Sequence, residues 1–113
     1  MQYTGLDTIT RDEAEASLAY PADVDTLCRT LLRVALHDED GDWALGFVRP
    51  YLEHACSEVR GIAASCVGYL ARIHREIDVQ TVLPSLRAME TDPEVSSRVR
   101  DALEDIRQFT RAA

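Results

Sequence analysis

The stretch His37-Asp38-Glu39-Asp40-Gly41-Asp42-Trp43 gathers one imidazole and four carboxylates directly before the chain's single tryptophan. Closely spaced carboxylates are the donor set of a calcium loop, so that chemistry comes first. An EF-hand loop takes acids at its first, third and fifth positions, glycine at the sixth and glutamate at the twelfth. Counted from Asp38, the acids fall correctly at Asp38, Asp40 and Asp42, but the sixth position is Trp43 and the twelfth Arg49. The calcium reading fails on both. What remains is a solvated connector or a surface for a cationic partner. Gly41 suits a turn and Asp42 an N-cap, as a connector between helices requires. Asp38, Glu39 and Asp40 are then left at a helix C-terminus, where the macrodipole favours cations and each exposed acid costs roughly a few tenths of a kcal/mol. Three acids held against the dipole hint at a use beyond the turn, and the residues alone leave connector and partner surface evenly balanced.

Other reactive residues make a poor inventory. His37, His54 and His74 all fall at or near predicted helix C-termini, where imidazolium meets a favourable dipole. His54 and Cys56 form a lone i, i+2 pair, short of a zinc ligand set. The three cysteines, Cys28, Cys56 and Cys66, are odd in number and contain no C-x-x-C pair, which argues against a disulfide framework and a zinc knuckle. Cys28 and Cys66 lie on apolar stripes, whereas Cys56 sits at a turn and is the candidate reactive thiol, without a neighbouring base. There is no Gly-rich phosphate loop, G-x-S-x-G or H-E-x-x-H. The expectation is a non-catalytic protein with no cofactor and no metal.

The net charge of −8 is unevenly placed. Residues 1–58 hold twelve acids against four arginines, and residues 59–113 hold eight of each sign. The acidic half repels nucleic acid and anionic membrane and attracts a basic protein. No apolar run is long enough to span a bilayer. The first residues show no basic segment followed by an apolar stretch, so no secretory signal is expected and the cytoplasm is the expected location.

The elements that must position these residues are helical, because apolar spacing follows the 3.6-residue period and almost never alternates. Thr10-Arg11-Asp12-Glu13 has the capping-box pattern, opening a short helix to about Ala19 that stops before Pro21. Val24, Leu27, Cys28, Leu31, Leu32 and Ala35 stripe a second helix. Asp42 is placed to cap a third, carrying Trp43, Leu45, Phe47, Val48, Tyr51 and Leu52 past Pro50. Ser57 is placed to cap a fourth, Asp78 to open a fifth containing Pro84, and Asp92-Pro93 to start a sixth. Trp43 reads as cover for the seam between the first two hairpins. Gly61 and Gly68, seven apart on one helix face, read as a place of close helix approach.

A repeat underlies the pattern. Pro50 and Pro84 lie 34 residues apart, as do Leu52 and Leu86. A shift of 36 pairs Val59 with Val95, Ala63 with Val99, Cys66 with Ala102, Val67 with Leu103 and Leu70 with Ile106. A shift of 35 the other way pairs Val59 with Val24, Ala63 with Cys28 and Val67 with Leu32. Three helical hairpins, roughly 8–37, 41–75 and 78–110, share one template within a single domain spanning 1–113. A lone amphipathic hairpin cannot bury its stripe, whereas stacked ones can.

Val48-Arg49-Pro50-Tyr51-Leu52, followed by Ser57-Glu58-Val59-Arg60-Gly61-Ile62-Ala63-Ala64 and on to Ala71, closely resembles a HEAT repeat. Leu83-Pro84-Ser85-Leu86 with Asp92-Pro93-Glu94-Val95 repeats it, although Ser96 replaces the arginine and the alanine pair is lost. The first hairpin keeps only the apolar positions. The resemblance implies an all-α, short right-handed solenoid of about six helices that presents a surface to another macromolecule. Small HEAT-like proteins serve as toxin-immunity proteins, as adaptor or scaffold modules, and as relatives of bilin-lyase subunits. The acidic half favours the first: an immunity protein occluding a basic toxin domain such as a nuclease. In that reading Asp38, Glu39, Asp40 and Asp42 supply charge, Asp23 and Asp25 add to it, and Trp43 and Tyr51 are apolar anchors.

Overall fold

The computed structural model describes residues 3–19 and 23–111. It is all-α, with six α-helices and two short 3-10 segments, and no strand among the described residues. The helices are α1 (Arg11–Ser17), α2 (Val24–His37), α3 (Gly41–Val48), α4 (Ser57–His74), α5 (Leu83–Ala88) and α6 (Ser96–Phe109). The 3-10 segments are Arg49–Glu53 and Val79–Thr81.

Three long helices form one layer of this solenoid-like arrangement: α4 lies between α2 and α6, while α1 packs on α2, α3 on α4, and α5 on α6. The shared apolar register explains this. Leu31, Leu32 and Ala35 of α2, Val59, Ala63, Cys66, Val67 and Leu70 of α4, and Val99, Ala102 and Ile106 of α6 are all essentially inaccessible to water. Trimming one such leucine to alanine in a close-packed interior costs about 2–5 kcal/mol. Central α4 is enclosed on most of its circumference, and its glycines let α6 approach. A Cβ on Gly61 would lie 3.0 Å from Arg98 Cδ, and one on Gly68 3.2 Å from Ala102 Cα.

Local chemistry departs from expectation at four helix starts, those of α3 to α6; Asp78 caps the 3-10 segment Val79–Thr81, and α5 begins only at Leu83. The Thr10 capping box is present, with Thr10 Oγ1 accepting from Glu13 N–H and Glu13 accepting from Thr10 N–H, but α1 ends at Ser17; the expected stop before Pro21 lies outside the described residues. Asp40, not Asp42, caps α3. Cys56, not Ser57, is the N-cap of α4, without a side-chain hydrogen bond. Asp92 to Val95 forms a turn, and α6 starts only at Ser96. The two prolines do not kink continuous helices. Pro50 sits in a 3-10 segment, tighter than an α-helix, and Pro84 occupies the first turn of α5, where its missing N–H is not needed.

Residues 3–9 lie along α2, held by three side chains spaced one turn apart. Arg29 donates to the Thr4 carbonyl, Arg33 to those of Asp7 (2.9 Å) and Thr8 (2.8 Å), and the His37 ring nitrogen to that of Leu6 (2.7 Å). Tyr3 is buried at the end of this segment, and its hydroxyl donates to Glu58 at the start of α4.

Candidate functional site: an acidic notch beside Trp43

The turn between α2 and α3 is assembled by its own carboxylates. Asp38 follows the last residue of α2 in extended conformation, which ends the helix. Its Oδ1 accepts the Asp40 N–H at 2.8 Å, and Asp40 Oδ1 in turn accepts the Trp43 N–H at 3.1 Å. A cap two residues earlier than expected is allowed because Gly41, buried and first in α3, has no side chain. A Cβ there would sit 2.6 Å from His74 Cγ and 2.7 Å from Ile77 Cγ2. Gly41 is therefore required by close packing against the end of α4, not by the turn itself. Asp42, freed from capping, reaches across to accept the Asp78 N–H at 3.1 Å, tying α3 to the start of the following segment.

Arg11 of α1 meets this turn from the other side. Its Nε and Nη2 donate to Asp38 Oδ2 and Oδ1 at 3.2 and 3.1 Å, a two-pronged pair. Asp40 Oδ2 lies 3.7 Å away, and the guanidinium carbon stands 4.3 Å from the centre of the Trp43 ring. The Arg11 hydrogen bond holds the Asp38 carboxyl below its ordinary value, against the opposing effect of partial burial. The acids placed against the α2 dipole are thus offset in part by an arginine from another helix. Trp43 stacks on Phe47 with ring centres 5.3 Å apart and packs against the core, covering the junction of α1 with α3.

Around this turn lies a surface notch of about 460 Å³, lined by Arg11, Glu39, Asp40, Asp42, His74 and Glu76. Four carboxylates face one arginine. Glu39 is exposed. His74 Nε2 is shielded from water with no hydrogen-bond partner. The structure thus gathers Asp38, Glu39, Asp40, Asp42 and Trp43 at one end of the array.

The other candidate residues lie elsewhere. Asp23 caps α2, accepting the Thr26 N–H at 2.7 Å, and that bond lowers its pKa. Asp25 pairs with Arg29 one turn later, at 2.7 Å. Both stand at the opposite end of 14-residue α2, about 20 Å from the notch at 1.5 Å rise per residue. Tyr51 is half-buried in the 3-10 segment with its ring 6.3 Å from that of His54, and burial raises its pKa. Trp43, Phe47 and Tyr51 recur every fourth residue as a half-buried aromatic row. Cys56 is half-buried, and its N–H donates to His54 Nδ1 at 3.0 Å, so that pair is an internal turn contact.

Arg11, His74 and Glu76 were not among the expected site residues. They come from α1 and from the end of α4, and no spacing within the acidic stretch could signal them. No three His, Cys, Asp or Glu side chains converge as metal ligands among the described residues, and none of their helices is long and apolar enough to cross a membrane.

Fold and site together define an all-α array of stacked helix pairs with an acidic notch at one end. A solved structure of the same shape is a chain from the crystal structure of a CDI (contact-dependent inhibition) complex from Cupriavidus taiwanensis LMG 19424. The two chains superpose with a TM-score of 0.83 over 96% of this chain and 97% of that one, at 28% sequence identity. No family model matches the chain, and no curated protein does.

Proposed function

We propose that this chain is a non-catalytic immunity protein built of HEAT-like hairpins, which binds a cognate toxin and neutralises it by covering its working surface. The observation that carries this reading is the near end-to-end likeness to a chain from a CDI complex. The charge distribution supports a basic toxin domain, such as a nuclease whose cleft binds phosphate. An acidic surface complements such a cleft and speeds encounter. Glu39, Asp40 and Asp42 of the notch are the central contacts, with Asp38 as their support. Trp43 and Tyr51 supply apolar area, and Asp23 and Asp25 steer from the far end of α2.

The test is a tagged pulldown from native cells, washed at low and then high salt, with retained chains identified by mass spectrometry. One stoichiometric basic partner, lost or weakened by Glu39→Arg with Asp42→Arg, is the expected result. Absence of a partner, or a scatter of weak ones, overturns the proposal.

A further inference from the structure

The contacts of Arg11 amount to a complete recognition site for a guanidinium group. An aromatic face lies 4.3 Å beneath it, one carboxylate engages it with two hydrogen bonds, and a second carboxylate stands 3.7 Å away. Planar stacking combined with two-pronged pairing is what distinguishes arginine from lysine recognition. We infer that Trp43, Asp38 and Asp40 form a guanidinium seat, filled by Arg11 in the free protein and by an arginine of the partner in the complex. This rests on the immunity reading for the partner's identity, and adds which side chain enters and what it replaces.

Three observations carry the exchange. First, the seat is built without Arg11. Asp38 accepts the Asp40 N–H, and Asp40 accepts the Trp43 N–H, so the three groups hold each other in place when the arginine leaves. Second, the Arg11 side of the pair is open to solvent. The Arg11 side chain is 45% exposed, and Arg11 is the first residue of a seven-residue helix whose only buried residue is Ala14. Asp38 is only 11% exposed, so exchange starts from the open arginine face, with the incoming guanidinium remaking the two hydrogen bonds that Arg11 gives up. Third, the seat stays electronegative with Arg11 in it, because Glu39, Asp42 and Glu76 line the adjoining notch. A second guanidinium is drawn to the notch before it displaces the first. A tethered arginine competes at high effective concentration, so the incoming one must belong to a partner with further contacts.

Trp43, the only tryptophan, reports on the seat directly. The probe is an eight-residue peptide alternating arginine and glycine, titrated against tryptophan emission, with lysine and citrulline counterparts. Arg11→Ala vacates the seat, and Arg49→Ala removes the same charge from an exposed position outside it. Arg11→Ala is expected to bind the arginine peptide about three to ten times more tightly than Arg49→Ala does, with a saturable change in emission; this range corresponds to one exposed cation–π contact and ion pair. The lysine peptide binds more weakly and the citrulline peptide not at all. Equal affinity for the two variants, or binding without a change in Trp43 emission, overturns the inference. Should Arg11→Ala fail to fold, the wild-type protein decides. Its Arg11 Nε–H resonance moves to the position of a free arginine at saturating peptide if exchange occurs, and an unmoved resonance overturns it. No toxin enters this experiment. A stoichiometric partner recovered alongside a failed exchange leaves the immunity reading standing and removes this one alone.

Discussion

Gly68 of α4 and Ala102 of α6 touch so closely that a Cβ on Gly68 would lie 3.2 Å from the Ala102 Cα and 2.9 Å from Asp105 Oδ2. The Ala102 atom is backbone and cannot swing aside. Asp105 is itself engaged by Arg72 at 3.2 Å, so its retreat would break an ion pair that also joins the two helices. Gly68→Ala sets two effects against each other. Alanine gains about 1 kcal/mol over glycine in a helix interior, whereas overpacking costs about 1–3 kcal/mol. The clash wins because the helices can relieve it only by separating. Gly46 is the control, for it lies in α3 with nothing within 4 Å of an added Cβ. Urea unfolding should show Gly68→Ala destabilised by roughly 1 kcal/mol and Gly46→Ala stabilised by up to about 1 kcal/mol. A stabilised Gly68→Ala would mean that α4 and α6 are less tightly seated than the structure shows.

The thiols should separate by burial. Cys28 and Cys66 are inaccessible, and desolvation pushes both of their pKa values up, Cys66 the further. Only the thiolate reacts, so both are doubly protected. Cys56, half-buried at the N-terminus of α4, lacks that shielding. A short alkylation pulse on native protein at neutral pH, read by mass, should label a single cysteine, and Cys56→Ser should abolish that labelling. Rapid labelling of a second site would show that the α2–α4 interface opens.

The interior was readable from sequence because burial imposes a period. Each position paired by the 36-residue shift from Val59–Val95 through Cys66–Ala102 is buried, since equivalent sites in stacked hairpins face the same shared core. The spacing of Gly61 and Gly68 likewise indicated close approach, which the structure places against Arg98 and Ala102. Helix starts were less legible because neighbouring acids compete for the same role. Asp40 and Asp42 are both N-cap types, and the choice between them is made by the fit of Gly41 under the His74 ring, a tertiary contact. The same limit applied to the notch. Asp38 read as an acid placed against a helix dipole, and its partner Arg11, 27 positions away, enters only once α1 has packed on α2.

That pairing gives Asp38 a defined pH signature. Its folded pKa lies below the ordinary value, chiefly because Arg11 donates hydrogen bonds to the ionised form. A depressed carboxylate stabilises the fold wherever the unfolded chain's group is also ionised, above about pH 4, and the stabilisation is lost as pH falls through the folded pKa. Wild type and Asp38→Asn should therefore differ in midpoint by denaturant unfolding at pH 7 and converge as pH falls through the depressed folded pKa of Asp38. Glu13 and Asp23, also lowered by hydrogen bonds at helix caps, contribute the same trend to both proteins and cancel in the difference. Glu39→Gln should leave the midpoint unchanged across the range, since Glu39 is exposed and forms no hydrogen bond or ion pair among the described residues. A gap between wild type and Asp38→Asn that does not narrow as the pH is lowered through the carboxylate range would show that asparagine disturbs the turn itself. The contribution of Asp38 would then lie in its bond to the Asp40 N–H more than in its charge.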